Sequence, residues 1–398
     1  MDSVVNTDIP RCTENDYSAD IMEQRRAFIE ARTGTRLQHT RHYSFDPASM
    51  SGNIESLFGV AQIPIGLAGP LKVNGEHACG EFYVPMATVE GTMLASYNRG
   101  MKVIGASGGV TTTVCGEAMQ RAPVFVFTSA RQARDFGWWL TDNFPAIKQR
   151  AEQTTSFGKL TDIDHYLAHN FVWTRFNYTT GDAAGQNMTS RATFVACEWI
   201  QQQNPKMSHY MLAANFDTEK RASFINSLKG RGRRVTAELT IPAEVLIRHM
   251  RITPKQMHNG QGISNLGSFM TGASNNAAHP ANGLAALFLA TGQDVANIGE
   301  SHQSTVYTRL TSKGDYYYSI TLPALIVATH GGGTGLATQR ECLEIMDCYG
   351  PGKAHKLSEI AAALVVAGEL SLSAATRIDQ VTRTSDWVES HETLGRNR

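Results

Sequence analysis

The sequence predicts an α+β protein in which one domain is inserted into another, and three observations predict it. Strand-like and helix-like stretches alternate along the whole chain with no Pro- or Ser-rich linker between them. The 398 residues suffice for two or three domains at roughly 150 residues each, every one able to bury a core. Residues 122–212 form a mixed block of strands and helices between two longer stretches. The composition agrees: 42% hydrophobic and 18% charged residues describe a globular chain and exclude a disordered one.

The elements follow in order. The polar segment 1–52 reads as a small cap with a helix near Ala19–Arg32, stopped by Gly34. From Gly59, VAQIPIGLAGPLKV and EFYVPMAT read as strands separated by Gly and Pro turns. A helix is expected from Glu90 through Lys102, followed by the Gly-rich IGASGGVTTTV. Inside the block 122–212, PVFVFT and FVWTRFNYTT read as strands. Helices are expected at Ala130–Asn143, at Asp162–Asn170 and, as a long one, after Asp182. RVTAELTIP opens the C-terminal half as a strand, and Ala- and Gly-rich helices close it. No repeat and no low-complexity tract is present.

Charge and cysteine usage narrow the function. Thirty-six basic residues balance 36 acidic ones, which argues against a chain that holds nucleic acid or an anionic membrane through a global positive field. The six cysteines include no CxxC pair and no His at zinc-ligand spacing, so reduced thiols, a cytoplasmic location and no metal are expected. The N-terminus lacks the basic start and apolar stretch of a signal peptide. The longest apolar run, Ile360–Leu370, is short for a membrane span and carries Glu369.

Six segments could carry chemistry, and each alone also fits a bland reading. In TVEGTMLASYNRGMK, Glu90 sits at a strand-to-helix junction walled by Met86, Met93 and Leu94, where a carboxylate can donate a proton. It equally suits the first turn of a helix dipole. Ser96, Arg99 and Lys102 follow at spacings that share one helix face. In TTGDAAGQNMTSR, Asp182 occupies an N-cap position, and Gly185 lets an anion approach free N–H groups; the motif is not GxGxxG. ATHGGGTG exposes backbone N–H groups after a strand, or simply turns. Lys220 and Arg221 in NFDTEKRAS, Asp294 in LATGQDVANIG, and His391 near the C-terminus complete the set.

Their order along the chain is more informative than any one of them. AQIPIGLAGPL, VPMATVEGTMLASYNRG, GDAAGQNM, ATGQDVANIG, HGGGTG and AGELSL together resemble 3-hydroxy-3-methylglutaryl-CoA (HMG-CoA) reductase, in family order from about Glu55 onward. The ATVEG and SYNRG version resembles the class I branch in a soluble prokaryotic form. The resemblance implies a four-electron reduction of a thioester to mevalonate with two nicotinamide cofactors in succession, releasing coenzyme A. It implies Glu90 as proton donor to the mevaldehyde oxygen and Lys220 as oxyanion stabiliser. Asp294 would hold both in a coupled network, and His391 would protonate the departing thiolate.

Ser96, Asn98, Arg99 and Lys102 match the CoA-contacting stretch. Arg121, Asn215, Arg221, His279 and Asn282 match positions that contact substrate. Asp182, Ala183, Ala184, Gly185, Gln186, Asn187 and Met188 match the dinucleotide loop, and the resemblance implies that Gly331, Gly332 and Gly333 line the nicotinamide side. The implied architecture is a helical cap (1–52), a large substrate domain (53–121 and 213–398) and an inserted ferredoxin-like cofactor domain (122–212). A homodimer or higher homo-oligomer with active sites between subunits is implied too.

Departures from the family pattern are local. Ser264 stands where a carboxylate-binding lysine is expected, Glu219 replaces an Asp, and Ala213 replaces a substrate-contacting Ser. Thr155 and Ser156, with Lys159 nearby, replace the Ser-Arg pair that reads the 2′-phosphate in NADPH-using relatives. NADPH is therefore expected with modest discrimination over NADH. Two alternatives stand beside the biosynthetic reading: NAD-dependent oxidation of mevalonate, and a catalytically inactive CoA- or dinucleotide-binding protein.

Overall fold

The structure, a computed structural model, describes residues 8–376. It is an α+β fold whose two hydrophobic cores sit on the two halves of one continuous sheet.

The N-terminal cap is helix α1 (Ala19–Thr33). Ser18 caps its start by accepting from the Ile21 N–H, and Gly34 ends it at φ +72°, where a side chain would be strained. Met22, Met50 and Leu57 form the cap's own small cluster. Buried Arg25 ties it together by donating to the carbonyls of Pro10, Asp16 and Leu57.

The larger half is built from strands β1 (Ile65–Gly75), β2 (Cys79–Ala87) and β3 (Val110–Arg121), with helix α2 (Met93–Ala106) between the last two. β1 pairs antiparallel with β2 and parallel with β3. β8 (Gly232–Ile241), β9 (Thr305–Leu310) and β10 (Tyr316–Leu325) extend the sheet antiparallel in the order β3–β8–β10–β9. Its core is completed by α7 (Ala243–Met250), α8 (Pro254–Thr271), α9 (Pro280–Thr291), the short α10 (Ile298–Ser301), α11 (Ala337–Ile345) and α12 (Ala354–Thr376). Helix α12 is apolar on all sides because it runs through the middle of this core. It is long and apolar enough to cross a membrane by composition, yet 94% of that stretch is buried inside the fold. Helices α2 and α12 approach so closely at Gly100 that a Cβ there would lie 1.9 Å from the Ala367 carbonyl oxygen.

The smaller half comprises β4 (Val124–Val126), α3 (Ala130–Asp142), α4 (Phe144–Glu152), β5 (Lys159–Ala168), β6 (Phe171–Thr179), α5 (Gln186–Gln203) and β7 (His209–Met211). All its pairings are antiparallel, in the order β7–β4–β6–β5. Phe125, Phe136, Phe176, Ile147 and Ile200 dominate its separate core. The end of β3 pairs with β6 (Met119 opposite Tyr178), so the two halves share a strand.

Two expectations are corrected here. The stretch Asp162–Asn170 is not a helix but most of β5 and the turn after it. Its polar residues lie on an edge strand whose nine partners in β6 fix it extended, which overrides the local helical preference. The helix after the ATVEG segment begins at Met93, with Glu90 in the loop before it.

Candidate active site

Lys220 lies in the loop between β7 and α6 (Phe224–Lys229), and that loop is bent three times into the left-handed region. Asn215, Thr218 and Lys220 have φ of +66°, +59° and +57°. Such values are costly for residues with a Cβ and persist only where the surroundings over-determine them. They do so here. The Thr218 hydroxyl donates to Asn226 Oδ1, and Asn226 Nδ2 reaches the Arg221 carbonyl. Arg121 donates to Asp217 Oδ2 (2.9 Å), to Glu219 Oε2 (3.1 Å) and to the Ser190 hydroxyl on α5.

The result presents Lys220 Nζ at 3.0 Å from Asp294 Oδ2. Asp294 is itself fixed, because its Oδ1 accepts from the Ala296 N–H at the start of a short 3-10 turn. Both partners remain exposed by about two-fifths (44% and 41%), so a ligand can reach the pair.

Glu90 occupies a second group. Its N–H donates to Thr88 Oγ1, and its carboxylate accepts from Asn282 Nδ2 (3.1 and 3.4 Å). The methionines expected to wall it, Met86 and Met93, are buried, while Glu90 is exposed. Asn282 lies in the first turn of α9, whose N-cap is His279. Behind them, buried Glu369 on α12 accepts the N–H groups of Ala278 (2.8 Å) and His279 (2.7 Å) and lies 3.3 Å from His279 Nδ1. Tyr97 packs parallel to the His279 ring, and burial together with the Glu369 charge pushes its phenol far up, so it stays protonated. Among the described residues, no hydrogen bond or ion pair joins Glu90 to Lys220 or Asp294.

The α2 face expected to meet CoA is anchored from inside. Asn98 Oδ1 accepts from the Gly69 N–H. Ser96 Oγ meets Ser371 Oγ at 2.8 Å, and Arg99 donates to the Ser371 hydroxyl and carbonyl. Lys102 is exposed one turn on, and Arg221 is exposed beside Lys220.

The segment Asp182–Met188 needs a correction. Asp182 does not cap α5; Gly185 does, at φ +87°, where an added Cβ would lie 2.2 Å from the Thr180 side chain. The Asp182 carboxylate instead accepts the N–H groups of Gly352, Lys353 and Ala354 and caps α12. The reason is distance in sequence: the acceptor meets donors 170 residues away, which local reading does not reach. Among the described residues no side chain caps α5, which leaves its first-turn N–H groups without a side-chain acceptor. Gln186 Nε2 reaches Asn297 Oδ1 (2.8 Å), tying the start of α5 to the turn after Asp294.

The glycines Gly331 (φ +81°) and Gly332 (φ +57°) take conformations that suit Gly, and Gly333 lies against the backbone of Gly292. Thr155 Oγ1 accepts from the Phe157 and Gly158 N–H groups, Ser156 is exposed, and Gly158 leaves room for Met188. The two segments expected to hold the dinucleotide thus touch. Lys159 is turned toward Glu152 (3.4 Å) and is more than half exposed. His391 lies outside the described residues.

The model of the hydroxymethylglutaryl-coenzyme A reductase family matches residues 21–396. The chain belongs to that family. It is 43% identical to the 3-hydroxy-3-methylglutaryl-coenzyme A reductase of Methanothermobacter thermautotrophicus over 94% of this chain and 92% of the relative. It is 40% identical to that of Pyrococcus abyssi over the same shares. Its fold is similar to a class II 3-hydroxy-3-methylglutaryl-CoA reductase from Streptococcus pneumoniae bound to NADPH in open conformations. The TM-score is 0.68 at 19% identity, covering 84% of this chain and 80% of that one.

Sequence reading missed four supporting residues of this candidate site. Glu369 looked like a flaw in an apolar run, and its partners show that it anchors His279. Asp217, Arg231 and Glu300 resemble ordinary surface charges in sequence but are buried. Glu369 alone had a usable signal: a charge in the middle of an apolar helix needs a partner.

Proposed function

We infer that this site reduces HMG-CoA to mevalonate and free CoA, consuming two nicotinamide cofactors and two protons. The observation that carries the reading is the Lys220–Asp294 pair at 3.0 Å on a left-handed loop, bonded through Arg121 to the helix that follows the dinucleotide loop. A cation held in advance at the carbonyl oxygen stabilises charge that develops there, with little reorganisation. Asp294 orients Lys220. Glu90, oriented by Asn282, donates the proton that completes the alcohol in the second step. His391, carried over by resemblance, protonates the CoA thiolate as the carbon–sulfur bond breaks after the first.

The residues fit a dinucleotide. The start of α5 is uncapped, Gly185 and Gly331–Gly333 bring backbone close without side chains, and the loop 155–159 adds hydroxyls and a cation. When bound, NADPH, with NADH as the alternative, supplies a hydride at each step. The division into a cap (1–52), a substrate domain (53–121 and 213–398) and a ferredoxin-like cofactor domain (122–212) belongs to the same proposal, supported by the separate core and the strand order β7–β4–β6–β5 of the third.

A homo-oligomer with sites between subunits is supported by α8, which exposes Ile263, Leu266, Phe269 and Met270 on one stretch of helix. An assay of thiol release and nicotinamide oxidation with HMG-CoA tests the function. Two nicotinamides oxidised per thiol are expected. Absence of thiol release, or turnover only in mevalonate oxidation, would overturn it.

A further inference from the structure

The Lys220 loop rests on a buried charge pair that no step of the chemistry uses. Arg231 and Glu300 are both fully buried, with Nε 3.1 Å from Oε1. Arg231 Nη1 donates to the carbonyls of Gln120 and Asp217, so its guanidinium fixes the loop at the residue just before Thr218. Burial raises the Glu300 carboxyl above its usual value, and Arg231 and the nearby backbone N–H of Lys220 act against that rise. The neighbouring Gly299 lies against the next peptide, between Lys220 and Arg221: a Cβ there would lie 2.4 Å from the Lys220 carbonyl oxygen. Gln303, in the same segment, then takes the Ser223 N–H and donates to its carbonyl.

One short stretch, residues 294–303, therefore holds Lys220 twice, at its side chain through Asp294 and at its backbone through Gly299 and Glu300. We propose that Gly299 and Glu300, seated on Arg231, are positioning residues that set Lys220 in its left-handed conformation and so fix the Lys220–Asp294 geometry. The physical reason for burying the pair follows. A φ of +57° needs a rigid support, and a carboxylate paired with a buried guanidinium is not free to move to solvent. This inference rests on the reading of Lys220 as the oxyanion stabiliser.

The test compares Gly299→Ala, Arg231→Met/Glu300→Gln and Lys220→Ala in full-length protein, by steady-state kinetics and thermal melting. Gly299→Ala displaces the Lys220 carbonyl without touching the ion pair. Its kcat for HMG-CoA should fall ~10²-fold, the cost of an angstrom-scale misplacement, with both KM values within about threefold of wild type. The double variant removes both buried charges but keeps an amide oxygen toward the Lys220 N–H. It should fold, and should retain more kcat than Arg231→Met/Glu300→Ala, which lacks that acceptor.

Folded Gly299→Ala with wild-type kcat would overturn the proposal. If that variant does not fold, equal kcat in the two double variants overturns it, and higher kcat with Gln supports it. Unchanged kcat in Lys220→Ala would instead remove the underlying reading of Lys220.

Discussion

The two halves of the candidate site are held in different ways. Lys220 is over-determined at its backbone: a strained loop with a buried charge pair beneath it fixes where the side chain starts toward Asp294. Glu90 is exposed, precedes its helix and, among the described residues, has a single side-chain donor, Asn282. The group proposed to stabilise charge is held firmly at its backbone, whereas the group proposed to donate a proton is held lightly. Electrostatic stabilisation depends on fixed dipoles and charges. Proton donation tolerates adjustment, because catalytic hydrogen bonds commonly tighten only when substrate is bound.

Removing the rigid element should have the largest effect. Lys220→Ala is expected to lower kcat by ~10²–10³-fold, as loss of one oxyanion donor does, with a smaller change in KM for HMG-CoA. A raised KM at unchanged kcat would make Lys220 a binding residue and dissolve the contrast. On the other side, Asn282→Ala removes one hydrogen bond to a carboxylate, so about a tenfold loss of kcat is expected. If Asn282→Ala cost as much as Lys220→Ala, the Glu90 side would be as rigidly organised as its counterpart.

Lys159 sharpens the comparison from outside, since it too is a cation paired within the chain but at an exposed surface. An exposed pair is worth ~0–1 kcal/mol, so Glu152 releases Lys159 easily when a phosphate competes. A charge-assisted contact is worth ~1.5–3 kcal/mol, and after that small cost roughly a tenfold preference remains. Lys159→Ala should raise KM for NADPH by about that factor or less and leave NADH unchanged. An indifferent variant, or a wild-type preference for NADH, would remove Lys159 from the phosphate site.

What could be read in advance follows the range of the interaction. Helix α1 with its Gly34 stop, β6 and α3 announce themselves through local patterning, and the segments holding Glu90, Lys220 and Asp294 stand out as motifs. β5 does not, because its extended form comes from nine pairings with β6 and not from its own residues. The foundations of the site were hidden for the same reason. Arg231 and Glu300 are 69 residues apart, and only the fold reveals that the two bury each other. Glu369 was visible as an oddity, but its role required knowing that α9 begins against it.

Asp182 gives the smallest effect and tests how far the lighter half depends on remote support. Helix α12 begins at the Asp182 carboxylate and, one long buried run later, presents Glu369 to His279 and Ser371 to Arg99. Burial opposes the Asp182 charge, but the N–H groups of Gly352, Ala354 and Lys353 outweigh it, and the carboxyl is held below its usual value. A depressed folded value stabilises the protein at pH above the unfolded value of ~3.9, and the gain disappears as pH falls through the folded value. Asp182→Asn should therefore cost ~1 kcal/mol near neutral pH, the worth of a helix cap at a partly exposed site. Thermal melts from pH 7 to pH 3 should show the wild-type and variant curves converging at the acid end. A constant gap at every pH would assign the loss to packing instead of charge. A drop in kcat matching that of Lys220→Ala would show that the start of α12 governs the rigid half as well, and the two halves would no longer be separable.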